Sequence, residues 1–203
     1  MEIVSLVPSF ELGLWNAWIL LVHFILFCYL RDVYIGFLHK RESSNKEGSA
    51  SRSYVGLERM YMQLLMVIMG ILLLYSVFLP LAIGTVWFYA GLAVYLTGWT
   101  FMVLATLVFI ATPADKPNTT GIYSISRHPI YLGWFSIFIS MGIASASWVY
   151  ILLALISLVP IRNALMIPEE RACCERFGNA YTEYMNKTPR WLGIPKSEKI
   201  ENT

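Results

Sequence analysis

The apolar positions of this chain come in unbroken runs rather than alternating patterns, and three stretches carry no charge: 12–30, 60–114 and 130–161. A bilayer core of about 30 Å takes about 20 helical residues, so the first run predicts one membrane span and the second predicts two. Pro80 and Gly84, in "LPLAIGT", mark the turn between those two. The third run is too long for one comfortable span, and a turn at "ASAS", residues 144–147, makes it a short hairpin. The predicted fold class is therefore all-α and integral to the membrane, with about five transmembrane helices.

Composition agrees, since the 203 residues are 57% hydrophobic and only 14% charged. The placement of charge then orients the spans. Segment 31–59 holds Arg31, Lys40, Arg41, Lys46, Arg52 and Arg59, and segment 115–129 holds Lys116 and Arg127. The remaining basic residues, Arg162, Arg171, Arg176, Lys187, Arg190, Lys196 and Lys199, all follow the last run. With five spans all three basic segments fall on one side, which short Lys- and Arg-rich loops make the cytosol. Four spans would export the last group. The N-terminus is expected outside and the C-terminus in the cytosol, in the plasma membrane of a prokaryote or the endoplasmic reticulum of a eukaryote. Cys28 lies in a span and Cys173 and Cys174 lie on the reducing side, so no disulfide framework is implied. The first run has no basic n-region and no small-residue cleavage site, which argues against a cleaved signal peptide.

A single membrane domain over 1–203 is expected, with the first three spans in 1–111, a cytosolic loop at 31–59, and a second half at 112–203. The polar stretch 39–53, "HKRESSNKEGSASRS", suits a solvated connector touching anionic lipid. After the last span, Pro168 stands where prolines favour a helix start, followed by Glu169 and Glu170. At about 100° per residue Glu170, Cys174, Phe177, Tyr181 and Tyr184 share one face of a cytosolic amphipathic helix, which Gly178 could break.

Ionisable groups collect at one membrane edge. Arg127 and His128 open the fourth span, while Arg162, Glu169 and Glu170 close the fifth, and a hairpin makes those two ends neighbours. Taken singly, Arg127 fits snorkelling to phosphate, Tyr123, Tyr131 and Trp134 fit an interfacial aromatic belt, and Glu169 and Glu170 fit helix capping. Their concentration points instead to a pocket for a zwitterionic ligand, with aromatic faces for a cationic centre or a base. Arg162, seven residues before Glu169, falls on a similar helical face. His23 has no partner at metal-ligand spacing, so a metal site is not expected. There is no G-x-G-x-x-G, P-loop or G-x-S-x-G, and nothing points to nucleic acid.

"TTGIYSISRHPIYLGW" followed by "PEERACCERFGNAYTEYMNKTPR" resembles the isoprenylcysteine carboxyl methyltransferase and phospholipid methyltransferase superfamily of integral membrane enzymes. The resemblance spans residues 119–190. It implies methyl transfer from S-adenosyl-L-methionine to a lipophilic or membrane-accessed acceptor: an isoprenylcysteine-like carboxylate, a lipid amine or a small thiol. By that likeness Tyr123, Arg127, His128, Pro129, Ile130 and Tyr131 would wrap the cofactor and Glu169 and Glu170 would bind its polar end. Arg162, Glu170 and Arg190 would be the catalytic candidates, with the two arginines on the acceptor side. Leu165 and Met166 stand where members of the superfamily often place an arginine.

Two other readings remain open: a sterol-type membrane reductase using NADPH, and a small transporter with His23, Thr97 and Thr106 as its polar positions. The topology is directly testable. Cysteines introduced at the hairpin turn and the tail (Ser145→Cys, Arg190→Cys) should react with impermeant reagents from opposite sides of the membrane; labelling from one side would refute five spans.

Overall fold

The computed structural model describes residues 12–42 and 56–193, apart from the side chains of 38–42. The connector at 39–53 and the tail residues Lys196 and Lys199 therefore lie wholly or largely outside what is described. Among the described residues the chain is helical: α1 (Trp18–Glu42), α2 (Gly56–Val77), α3 (Val86–Ala111), a 3₁₀ turn (Gly121–Ser124), α4 (Pro129–Ala144), α5 (Trp148–Phe177) and α6 (Asn179–Lys187). Helices are the form such apolar runs must take, because lipid offers no partner for backbone N–H and C=O groups. By length and composition α1 (over Trp18–Phe37), α2, α3 and α5 can each cross a membrane, and α4 is a shorter apolar helix.

The turns fall where the sequence places them. Thr85 caps α3 by accepting a hydrogen bond from the Phe88 N–H at 3.3 Å, and Ser147 caps α5 the same way from Tyr150 at 3.3 Å. The segment before α1 is pinned to the α2–α3 turn, with Ala17 N–H donating to the Leu79 carbonyl at 2.9 Å and Asn16 Nδ2 to Val77 at 2.7 Å.

Two boundaries differ from expectation. The first helix neither starts at 12 nor stops at 30; it begins at Trp18 and runs through Arg31 and Asp32. Those two charges do not end it because they bond each other, Arg31 Nε and Nη2 to Asp32 Oδ1 at 2.9 and 2.7 Å. The fifth helix does not stop at 161 either. It continues to Phe177 through a π turn, Arg162–Met166, in which the Ile167 N–H reaches back to the Arg162 carbonyl. The expected single amphipathic helix is then broken at Gly178, whose φ of 56° lies in the left-handed region that glycine favours.

The bundle is organised around α3 and α4, which cross closely on small residues. A Cβ built on Gly91 would sit 2.5 Å from the Ala144 backbone nitrogen, and one on Gly133 would sit 2.6 Å from Met102 Cγ. Small residues at such crossings let backbones approach, the main source of helix association where lipid is as apolar as leucine. The core beside this crossing, with Phe24, Leu72, Tyr95, Met102, Ile137, Met141 and Tyr150, brings in α1, α2 and α5. At 16 residues α4 is about 24 Å long, short of the 30 Å core, so its His128 end stops short of the ends of the longer helices. That recess leaves room for the site.

Gly91→Ala should destabilise the protein by about 1–3 kcal/mol through forced separation of α3 and α4. A lowered thermal midpoint in detergent checks this, with Gly70→Ala, where a Cβ meets nothing within 4 Å, as the neutral control.

Candidate active site

The site grows from a loop that the sequence makes rigid. After the 3₁₀ turn, Ser126 Oγ accepts the His128 N–H at 3.1 Å, and Pro129 occupies the first turn of α4, where its missing N–H costs nothing. His128 is thereby fixed at the start of α4, its side chain almost wholly buried. The tail returns over this loop as a strap. Arg127 N–H donates to the Pro189 carbonyl at 3.0 Å, Gly193 N–H to Ile125 at 3.2 Å, and the Tyr184 hydroxyl to the Tyr123 carbonyl at 2.6 Å.

At the junction of loop, helix and strap lies the Glu170 carboxylate, 5% exposed and met by three cationic or polar groups. His128 Nε2 is 3.1 Å from Oε1, Arg190 Nε donates to Oε1 at 3.0 Å, and Arg190 Nη2 donates to Oε2. Arg127 Nη1 stands 3.0 Å from Oε1 as an ion pair without the alignment of a hydrogen bond. Glu170 in turn holds the Arg190 guanidinium above its usual range, chiefly through that hydrogen bond. Burial raises the phenols of Tyr123, Tyr181 and Tyr184 well above their ordinary value, so they remain neutral donors beside this charge cluster.

Glu169 has a different fate. Adjacent helical residues point about 100° apart, so when Glu170 faces the cluster Glu169 faces a cavity, its side chain 35% exposed. The Tyr131 hydroxyl donates to Glu169 Oε2 at 2.9 Å, and His128 Nδ1 lies 3.8 Å from the same oxygen. The cavity, about 220 Å³, is lined from α4 and its loop by Tyr123, His128, Pro129, Ile130, Tyr131 and Trp134. Thr106 and Phe109 of α3 and Arg31, Asp32 and Ile35 of α1 complete its wall with Glu169.

Of the residues singled out from sequence, the structure therefore brings Tyr123, His128, Pro129, Ile130, Tyr131 and Glu169 to one cavity. It brings Arg127, Glu170 and Arg190 to the cluster behind it. Arg162 joins neither and is exposed. The correction has a physical cause: the π turn inserts a residue between Arg162 and Glu169, so a spacing of seven no longer returns to the same face. Met166, near the position where an arginine was looked for, is buried against Leu65 and Ile161.

Sequence reasoning did not assign Asp32, Ile35 and Phe109 to this cavity; Arg31 entered only as a loop charge and Thr106 only as a polar position of the transporter reading. The signal for the charge pair was available: a helix-compatible pattern, Val33, Tyr34 and Ile35, continues past Arg31 with no Pro to stop it.

Residues 97–180 match the family model described as phospholipid methyltransferase. The match covers less than half of the chain and is a likeness to that family over this stretch. It contains the second half of α3, the His128 loop, α4 and α5, and so most of the cavity. α1 and the Arg190 strap lie outside the matched stretch. No curated protein and no solved structure matches the chain.

Glu170→Gln should cost roughly 3 kcal/mol, since a buried carboxylate is lost and two arginines and a histidine stay behind without it. Denaturation in mild detergent reads the loss; faster proteolysis of the strap at 188–193 should accompany it.

Proposed function

We propose that the chain transfers the methyl group of S-adenosyl-L-methionine to a membrane-accessed acceptor, in the cavity between α1, α3, α4 and α5. The observation that carries this reading is that the stretch similar to phospholipid methyltransferases folds a carboxylate and several aromatic faces around one cavity at the His128 end of α4. When bound, the cofactor supplies a methyl group activated on a sulfonium.

The donor set fits that molecule. Glu169, held by the Tyr131 hydroxyl, accepts hydrogen bonds from an ammonium or from ribose hydroxyls. Tyr123, Tyr131, Trp134 and Phe109 offer aromatic faces to a sulfonium or to adenine. Pro129, Ile130 and Ile35 provide apolar wall that excludes water. Methyl displacement needs alignment of nucleophile, methyl and leaving sulfur more than it needs acid or base, and a fixed cavity wall supplies alignment.

Glu170, Arg127 and Arg190 act behind this wall. They clamp the loop and the strap so that His128, Pro129 and Tyr131 keep their positions. Arg190 is thus a positioning residue for the cofactor side rather than an acceptor ligand. The charge count of the loops places the cavity on the cytosolic side in this reading, where S-adenosylmethionine is made. The NADPH reading gains no support from the lining, whose arginine, Arg31, is already bonded to Asp32.

Purified protein in detergent should show a thermal or calorimetric response to S-adenosylmethionine and to its demethylated product. His128→Ala should abolish it, Glu169→Gln should weaken affinity about tenfold or more, and Arg162→Ala should leave it unchanged. No response from the unsubstituted protein would refute the reading.

A further inference from the structure

The part of the cavity wall that α1 and α3 supply carries a polar set that the cofactor reading does not use. Arg31 and Asp32 lie within the span Trp18–Phe37, where charged residues are expensive and mark function by default. Arg31 is mostly buried, with 14% of its side chain exposed, and both of its contacts to Asp32 go to Oδ1. Arg31 thus makes no use of Asp32 Oδ2.

Thr106 supplies an independent observation. In and just after α3, Thr97, Thr100 and Thr112 each return their hydroxyl to the carbonyl four residues earlier, at 2.9, 2.9 and 2.7 Å. Thr106 does not. Its hydroxyl is buried, without a hydrogen-bond partner, on a residue 8% exposed that lines the cavity. A buried hydroxyl left unpaired costs about 1–3 kcal/mol, which a ligand would return. Trp134 Nε1, on the same cavity, is buried and unpaired as well.

Resting on the methyl-transfer reading, we propose that Asp32, held by Arg31 and assisted by Thr106, forms the acceptor subsite and takes the proton from a nucleophile that carries one. The charges on the cavity exclude a carboxylate acceptor. Asp32 and Glu169 are both acidic, Arg31 is occupied by Asp32, and Arg127, His128 and Arg190 are occupied by Glu170. A carboxylate would meet two like charges and no available cation among the lining residues described. An X–H nucleophile, an amine or a thiol, instead finds acceptors for its hydrogen.

The step balances. The lone pair of X forms the X–C bond, the C–S bond breaks with its electron pair going to sulfur, and the cofactor leaves uncharged. The proton from X passes to the Asp32 carboxylate, which becomes the neutral acid beside Arg31. The acceptor's identity is thereby set largely by α1, outside the stretch that matches the family model.

The test uses the full chain in detergent with methyl-labelled S-adenosylmethionine and three probes: phosphatidylethanolamine in phosphatidylcholine vesicles, a long-chain alkyl thiol, and S-farnesylcysteine. Label should enter the amine or the thiol and not the farnesylcysteine carboxyl. Asp32→Asn should lower kcat about 100-fold or more, as loss of a general base does, with the thermal response to S-adenosylhomocysteine intact. Thr106→Val should raise KM for the acceptor and leave KM for the cofactor unchanged. Label in the farnesylcysteine carboxyl, label in none of the probes, full activity of Asp32→Asn, or loss of cofactor response in Asp32→Asn would each overturn the assignment. Failure of the unsubstituted protein to bind cofactor would instead overturn the methyl-transfer reading beneath it.

Discussion

The Glu170 carboxylate is the constraint on which the site depends. A buried carboxylate is tolerable only when charge and hydrogen bonds replace the water it has lost. Here the replacements come from two places far apart in sequence: Arg127 and His128 from the loop before α4, and Arg190 from the strap after α6. Satisfying one oxygen pair therefore fixes three chain segments together. Backbone hydrogen bonds from Arg127 to Pro189 and from Gly193 to Ile125 follow from that closure and reinforce it. The cavity wall is the other face of the same loop, so its geometry is inherited from a cluster that does not itself line the cavity.

The apolar bundle decides where this cluster can form. Close crossing of α3 and α4 on Gly91, Gly98 and Gly133 brings Thr106 and Phe109 beside Tyr123 and Tyr131. The shortness of α4 recesses its His128 end, and the longer α1 and α3 stand around it as walls. The π turn in α5 then sets which residues of the last helix look inward. It turns Arg162 out, buries Met166, and leaves Glu170 and Glu169 to divide the roles of clamp and cavity lining.

Much of this was legible beforehand, for identifiable reasons. The hairpin turn at 144–147 and the break between 77 and 86 were readable because small and turn-forming residues interrupt apolar runs there. The meeting of His128 with the Glu169–Glu170 pair was readable because a hairpin must bring its two open ends together. What was not readable was azimuth. A helical wheel assumes one rotation per residue, and a single wide turn defeats it for every residue beyond, which is how Arg162 came to be counted with the site. The α1 pair was hidden for a related cause: a charge ordinarily ends an apolar run, whereas two opposite charges that bond each other can remain inside a span.

By itself the sequence determined the class of structure and the identity of its polar edge. Those are local properties, since run length against bilayer thickness forces helices and the spacing of Arg127, His128, Glu169 and Glu170 along the chain carries the resemblance to the phospholipid methyltransferase family. Only the tertiary structure decided which carboxylate is consumed within the protein and which faces the cavity. It also decided that Arg190 closes the clamp, that Arg162 stands apart, and that Asp32 and Thr106 face the cavity. Each of these turns on the direction of a side chain within packed helices, and packing is a property of the whole bundle rather than of any stretch of residues.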